Sequence, residues 1–260
     1  MTETIKVEID ARGVARLVLA RSEKHNALSA QMMDEITAAI AALGADAAVR
    51  VVVLAAEGAS FCAGGDLKWM QAQIGADAAT RAAGARKLAG MLSALDSCPK
   101  PVIGRVHGNA FGGGIGMMSV CDVAVGVSGA RFGLTETKLG LTPATISPYV
   151  VARMGAAKAR RVFMSSRLFG AEEARDLNLL ARVVAPEDLD AAIEAEVLPY
   201  LSCAPGAVAD AKALVRNLGP QIDSTVIDAT IGALVARWES PEAIEGISAF
   251  FEKRTPGWMS

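Results

Sequence analysis

Two short stretches hold the residues with the most evident chemical potential. They are Gly64-Gly65-Asp66 within SFCAGGDLKWM and Gly112-Gly113-Gly114 within GNAFGGGIGMMSVCD. Each joins a strand-like run to a helix-like run. Glycine in such numbers carries a backbone entropy cost, so something must approach the main chain too closely for a side chain to fit. Bare N–H groups at a helix start, where the helix dipole adds partial positive charge, suit an oxygen that gains negative charge during a reaction. Such a site needs two donors about 2.7–3.1 Å from that oxygen. Two strand–glycine–helix turns after neighbouring strands of a parallel sheet can supply them by opening on one crevice. Taken singly, either stretch could be no more than a tight turn.

Other uses of glycine fail on spacing. A phosphate-binding P-loop read from Gly108 reaches Gly113 but then meets Gly114 and Ile115, where lysine and a hydroxyl are required. A dinucleotide fingerprint starting at Gly112 and Gly114 would need a third glycine where Met117 stands. The run GVSGA places Ser128 after Gly126 but ends on Ala130, so it is not a nucleophile elbow.

The elements that must carry these turns can be read from periodicity. IKVEID and VARLVLA flank a turn at residues 11–13 and predict a hairpin. Ser29 caps a helix with apolar Met33, Ile36, Ile40 and Leu43 that should stop at Gly44. Strands are expected at 49–56, in KPVIGRVHG directly before the glycine triplet, and in CDVAVGV. Helices are expected from Asp66, over 77–97, and from the triplet to about Ser119. Leu189, Ile193 and Val197 form a helical stripe, and beyond about residue 200 only helices follow, near 205–218, 223–238 and 240–252. Alternating strands and helices predict an α/β fold with a mainly parallel sheet. The expected division is a core over residues 1–200 and a helical region over 201–260, forming one structural unit.

Composition narrows the function classes. The chain has 260 residues, 52% of them hydrophobic, and a net charge of −2. Its pI near 5.8 argues against nonspecific nucleic-acid binding. Mean hydropathy is +0.33; much of the apolar content is alanine, which suggests tight helix packing and buried subunit contacts. No apolar run approaches the roughly 18–20 residues a spanning helix needs, so no membrane partner is expected. Cys62, Cys98, Cys121 and Cys203 are scattered, and there are only two histidines, so neither a disulfide framework nor a metal site is expected. The opening MTETIKVEID lacks the basic and apolar regions of a signal peptide, and a cytoplasmic location is expected.

The ordered set SFCAGGDLKWM, KPVIGRVHGNAFGGGIGMMSVCDVAV and ARFGLTETKLGLTPATISPYV closely resembles the crotonase superfamily of enoyl-CoA hydratases and isomerases. The likeness runs from LARSEKHNALS at 19–29 to EGISAFFEKRTPGW at 245–258, essentially the whole chain. It implies a spiral of ββα units, a C-terminal helical trimerisation region, and homotrimers often paired into hexamers. It also implies an acyl-CoA thioester as substrate, with coenzyme A part of that substrate and no separate cofactor. By the resemblance, the amides of Gly65 and Gly113 hold the thioester oxygen and Glu136 in FGLTE is the catalytic carboxyl. Ala63, Gly65, Asp66, Leu67 and Lys68 lie along the coenzyme A. Lys24 and His25 sit near its phosphates or adenine, and Phe250 and Lys253 reach coenzyme A on the next subunit. The chemistry is consistent: adding water to a conjugated thioester, or shifting its double bond, passes through an enolate that two preorganised N–H groups stabilise.

One expected residue is missing. Hydratases of this superfamily usually carry a second glutamate two residues after the glycine triplet, where this chain has Gly116. In a hydratase reading, Glu136 activates water and returns a proton to the α-carbon, while a nearby hydroxyl (Thr145 or Ser147) or an ordered water replaces the missing partner. In an isomerase reading, Glu136 alone moves a proton between C2 and C4. A third reading is a catalytically idle acyl-CoA-binding protein. The loop PATISPYV resembles bacterial methylglutaconyl-CoA and isohexenylglutaconyl-CoA hydratases, which favours hydratase and a branched, carboxylated acyl group. Arg131 and Lys138 are then candidate cations for the distal carboxylate, although both could be ordinary surface charges. Trp69 could wall an acyl pocket or simply pack, His107 reads as a structural histidine, and Asn178 as a left-handed helix cap.

Overall fold

The computed structural model describes residues 2–259. The chain opens with strands β1 (Ile5–Ile9) and β2 (Val14–Leu19), helix α1 (Ala30–Ala45), then β3 (Val51–Ala56) and β4 (Ser60–Cys62). Helices α2 (Leu67–Ile74) and α3 (Ala78–Ser97) lead to β5 (Val102–Val106), β6 (Asn109–Phe111) and α4 (Gly113–Val120). Strands β7 (Val123–Val127) and β8 (Arg131–Gly133) precede a 3-10 turn at Glu136–Leu139 and helices α5 (Ser147–Met154) and α6 (Ala156–Phe163). After β9 (Phe169–Gly170), α7 (Ala171–Asp176) and β10 (Arg182–Val184), only helices remain. These are α8 (Leu189–Leu201), α9 (Pro205–Leu218), α10 (Ser224–Trp238) and α11 (Pro241–Glu252).

The strands divide between two sheets. One has the order β1-β2-β3-β5-β7-β10 and the other β4-β6-β8-β9. Among the described residues, only β1 with β2, and β8 with β9, pair antiparallel. Thus β3, β5 and β7 each contribute to the larger sheet and are followed at once by β4, β6 and β8 in the smaller one. This repeated ββα step is the spiral that the resemblance implies. Burial explains the sequence pattern: all six residues of β3 are buried, as expected for a strand covered on both faces.

Local signals behave as their chemistry dictates. The Ser29 hydroxyl accepts the Met32 N–H at 3.2 Å and starts α1, which buries Met32, Met33, Ile36, Ile40 and Leu43. The helix runs one residue past Gly44, to Ala45, and Asp46 closes it in extended backbone; no left-handed glycine cap is used. Asn178 does adopt the left-handed conformation, at φ 67°. Leu189, Ile193 and Val197 are all buried on α8. The glycine triplet follows β6, not the strand KPVIGRV directly, because three-residue β6 intervenes in the second sheet.

Candidate active site

The first glycine turn leaves β4 at Cys62. The Ala63 N–H donates to the His25 carbonyl at 2.9 Å, and Gly64 turns the chain at φ 93°. Leu28 then bridges Gly65: its N–H donates to the Gly64 carbonyl at 2.8 Å, and its carbonyl accepts from Asp66 N–H at 3.1 Å. Between those two bonds the Gly65 N–H has no acceptor among the described residues. Asp66 starts α2 by accepting Lys68 N–H at 2.9 Å and Trp69 N–H at 3.2 Å on one oxygen, while Arg21 donates to the other at 2.9 Å. Burial alone would raise its pKa, but Arg21 and the amides of Trp69 and Lys68 outweigh it and hold the carboxyl below its ordinary value.

The second turn leaves β6, which lies parallel to β4. Gly112 sits at φ 47°, and its N–H donates to the Gly133 carbonyl at 3.1 Å. Gly113 opens α4, and its N–H, like that of any first helical residue, lacks an intrahelical partner. The two turns touch. A Cβ on Gly64 would lie 3.2 Å from the Phe111 carbonyl oxygen, and one on Gly114 2.7 Å from the Cys62 carbonyl oxygen. Leu28 completes the junction, for a Cβ on Gly113 would meet its Cδ1 at 2.6 Å. Its main chain therefore holds the first turn while its side chain packs on the second.

Both turns open on a cavity of about 520 Å³ bordered by Gly65, Gly113 and Glu136, with walls that include Trp69, Ile146 and Phe250. Glu136 heads the 3-10 turn that ends at Gly140, which adopts φ 69°. Its Oε1 lies against the second glycine turn, where a Cβ on Gly112 would approach to 2.9 Å. Its Oε2 is buried with no hydrogen-bond partner among the described residues. Burial pushes the carboxyl pKa up to about 7, against a small opposing effect of its own N–H. A carboxyl in that range can take and return a proton near neutral pH.

The position of the missing glutamate is occupied by another side chain. A Cβ on Gly116 would come within 2.8 Å of Ile146 Cγ2, so Ile146 fills the space beside that helix. Of the two hydroxyls expected nearby, Thr145 borders the cavity and its Oγ1 is buried without a partner among the described residues. Ser147 instead donates its hydroxyl to the Ala144 carbonyl at 2.6 Å and lies outside the lining.

The remaining predicted residues separate into two groups. Ala63, Leu67, Trp69, Lys138 and Phe250 border the cavity. Lys24, His25, Asp66, Lys68, Arg131 and Lys253 lie outside its lining. Asp66 is committed to Arg21 and the α2 cap, so its side chain is occupied within the fold. His25 Nδ1 is 3.1 Å from the Ser60 hydroxyl. Lys253 terminates α11 in left-handed backbone. Phe250, expected to reach a neighbouring subunit, already borders this chain's own cavity. His107 donates from Nε2 to the Gly58 carbonyl at 2.8 Å and is also outside the lining. Burial pushes the thiols of Cys62 and Cys121 up to about 12, in keeping with packing roles. Sequence reasoning missed Leu28, Ile146, Leu234 and Trp238 at the cavity; none carries a signal beyond its apolar character.

Residues 10–260 match the family profile described as enoyl-CoA hydratase/isomerase. An enoyl-CoA hydratase of Alternaria alternata, ACTT6, is 36% identical over 206 residues, which cover 79% of this chain and 67% of that one. The mitochondrial methylglutaconyl-CoA hydratase of Mus musculus is 30% identical over 257 residues, covering 96% and 81% of the two chains. Among solved structures, an enoyl-CoA hydratase from Shewanella pealeana superposes with a TM-score of 0.82 at 37% identity, covering 99% of this chain and 97% of that one.

Proposed function

Because the chain belongs to the enoyl-CoA hydratase/isomerase family, within the crotonase superfamily, we propose that it adds water to a 2-enoyl-CoA thioester by a mechanism with Glu136 as its only acid–base carboxylate. The observation that carries this reading is the Glu136 carboxyl itself. One oxygen lies against Gly112, and the other is buried and unpartnered in a cavity that both glycine turns border.

In this mechanism the thioester oxygen accepts the N–H groups of Gly65 and Gly113. Ionised Glu136 takes a proton from water as the water oxygen forms a bond to C3. The C2=C3 electron pair moves through the carbonyl onto the thioester oxygen, giving an enolate. The enolate then collapses, and C2 takes the same proton back from Glu136. One water is consumed and the enzyme returns to its starting state. Preorganised donors stabilise the enolate without reorganising, and losing one typically costs roughly 2.7–4 kcal/mol of barrier.

Ala63 and Leu67, which border the cavity, lie along the coenzyme A in this reading. Asp66 and Lys68 lie along it as well, Lys24 and His25 sit near its phosphates or adenine, and Phe250 and Lys253 reach the coenzyme A bound to the next subunit. A branched, glutaconyl-type acyl group is the proposed substrate class. It is supported by Lys138, a cation at the cavity, and by the likeness to methylglutaconyl-CoA hydratase. If methylglutaconyl-CoA turns over no faster than crotonyl-CoA, that narrower assignment is wrong.

A second reading has a specific observation behind it. With Ile146 filling the space beside Gly116, one carboxyl is all that this part of the site offers. That suits a Δ3,Δ2-enoyl-CoA isomerase. Incubation with a 2-enoyl-CoA and, separately, a 3-enoyl-CoA distinguishes the two by mass spectrometry. A product heavier by one water from the 2-enoyl ester supports hydration. Fast conversion of the 3-enoyl ester with no water added supports isomerisation instead. A protein that binds both esters and converts neither is an idle binder.

A further inference from the structure

We propose that the Thr145 hydroxyl is a catalytic group of the hydration: it holds the attacking water for Glu136, in the role that a second carboxylate would otherwise have. The inference rests on the hydratase reading above and adds a residue to it.

Among the described residues, two polar side-chain atoms bordering the cavity are buried without partners, Glu136 Oε2 and Thr145 Oγ1. Thr145 is only 5% exposed. Buried hydroxyls are normally satisfied, and an orphan in a native fold calls for a partner that arrives with function. The adjacent hydroxyls do not fit this need. Ser147 is spent on the Ala144 carbonyl, while Thr135 and Thr142 border the cavity but are only half-buried.

The two orphans stand on one short segment whose backbone is closed by hydrogen bonds at both ends. The Leu141 N–H donates to the Glu136 carbonyl at 3.1 Å, closing the loop at its glutamate end. At the other end, the Ala144 N–H donates to the Thr142 carbonyl at 2.7 Å, and the Ser147 N–H to the Ala144 carbonyl at 3.0 Å. Thr145 thus sits in a hydrogen-bonded turn directly before Ile146, the residue whose side chain a glutamate at position 116 would have to displace. The same turn removes one polar partner and presents another.

The division of labour follows from donor and acceptor chemistry. Ionised Glu136 can only accept, so it takes the proton that water gives up. A hydroxyl can donate and accept at once; Thr145 therefore fixes the water oxygen so that its free lone pair faces C3, while itself neither gaining nor losing a proton over the cycle.

Two substitutions divide the side chain. T145V keeps the shape and removes the hydroxyl, whereas T145S keeps the hydroxyl and removes the methyl. For hydration of a 2-enoyl-CoA we expect T145V to lower kcat on the order of 100-fold, as for loss of one preorganised donor, with KM little changed. T145S should stay within about 5-fold of the parent, since the hydroxyl group that does the work is retained. T145V should melt no lower than the parent, because it deletes a buried hydroxyl that has no partner. A packing role predicts the reverse order, T145S impaired and T145V normal. That order, or T145V hydrating at the parental rate, overturns the proposal. A parent enzyme that yields no hydrated ester overturns the hydratase reading itself, and that result appears before any substitution is made.

Discussion

Glu136 is held in a state that favours chemistry over stability. Its carboxyl titrates near 7 because burial disfavours the charge, so the folded protein keeps a proton that the unfolded chain releases near 4.5. The stability contributed by this group is therefore full below about pH 4.5 and is lost as the pH rises to about 7. E136Q should melt higher than the parent above pH 7, with the difference shrinking toward pH 5; calorimetry across that range checks the sign. In the parent, kcat/KM should rise with pH and level off above about 7, because only the ionised form can accept a proton from water. Turnover by E136Q should fall by at least about 100-fold, in line with loss of a positioned acid–base group, while acyl-CoA binding persists. Gly116 makes a separate claim at this scale. A glutamate there must displace Ile146, and such overpacking typically costs about 1–3 kcal/mol. Denaturant unfolding of G116E should show that loss, and I146A in the same chain should recover part of it.

Among the elements, the short parallel pair β4 and β6 sets the site, because each strand ends in a glycine turn at the same edge. Asp66 anchors the first of these turns by capping α2 and pairing with Arg21, whose side chain is only 18% exposed. Replacing Asp66 by Ala leaves that cation with the Ala27 carbonyl but no counter-ion, and the helix uncapped, which should lower stability by about 3 kcal/mol. D66N keeps the cap and should lose less. Asp66 shows how far a sequence reading goes. Its helix-start position was legible from type and spacing, but its commitment to Arg21, 45 residues away, was not. The two glycine turns stood out because glycine runs between strand and helix carry chemical meaning, whereas Glu136 was singled out only through the resemblance, since a lone glutamate near a helix start has no local mark. Strands of two or three residues, such as β6 and β9, leave no periodicity to read, so the second sheet was invisible. The contact of Ile146 with Gly116 depends on how a loop crosses a helix, and no local pattern encodes it.

At the scale of the whole molecule, the C-terminal helices seat the turn that carries Glu136. Arg237 on α10 donates to the Gly140 carbonyl at 2.6 and 3.0 Å, directly after the Glu136–Leu139 turn. Gly246 on α11 lies so close that a Cβ there would approach the Leu139 carbonyl carbon to 2.6 Å. G246A should therefore shift the turn and lower kcat, although residue 246 itself lies outside the cavity lining; steady-state kinetics on 2-enoyl-CoA would show the loss. Helix α9 leaves Leu214, Val215 and Leu218 exposed; if that apolar face is covered by other subunits, as the resemblance implies, light scattering of the purified protein should report a trimer or hexamer, and a monomer would contradict it. The most direct measurement, however, concerns the two main-chain amides. Isotope-edited difference vibrational spectroscopy of an acyl-CoA bound to E136Q reads the thioester C=O stretch without turnover. If the Gly65 and Gly113 N–H groups both bond that oxygen, the band moves to lower frequency than in free solution. A bound thioester whose carbonyl vibrates as it does in water would contradict the account.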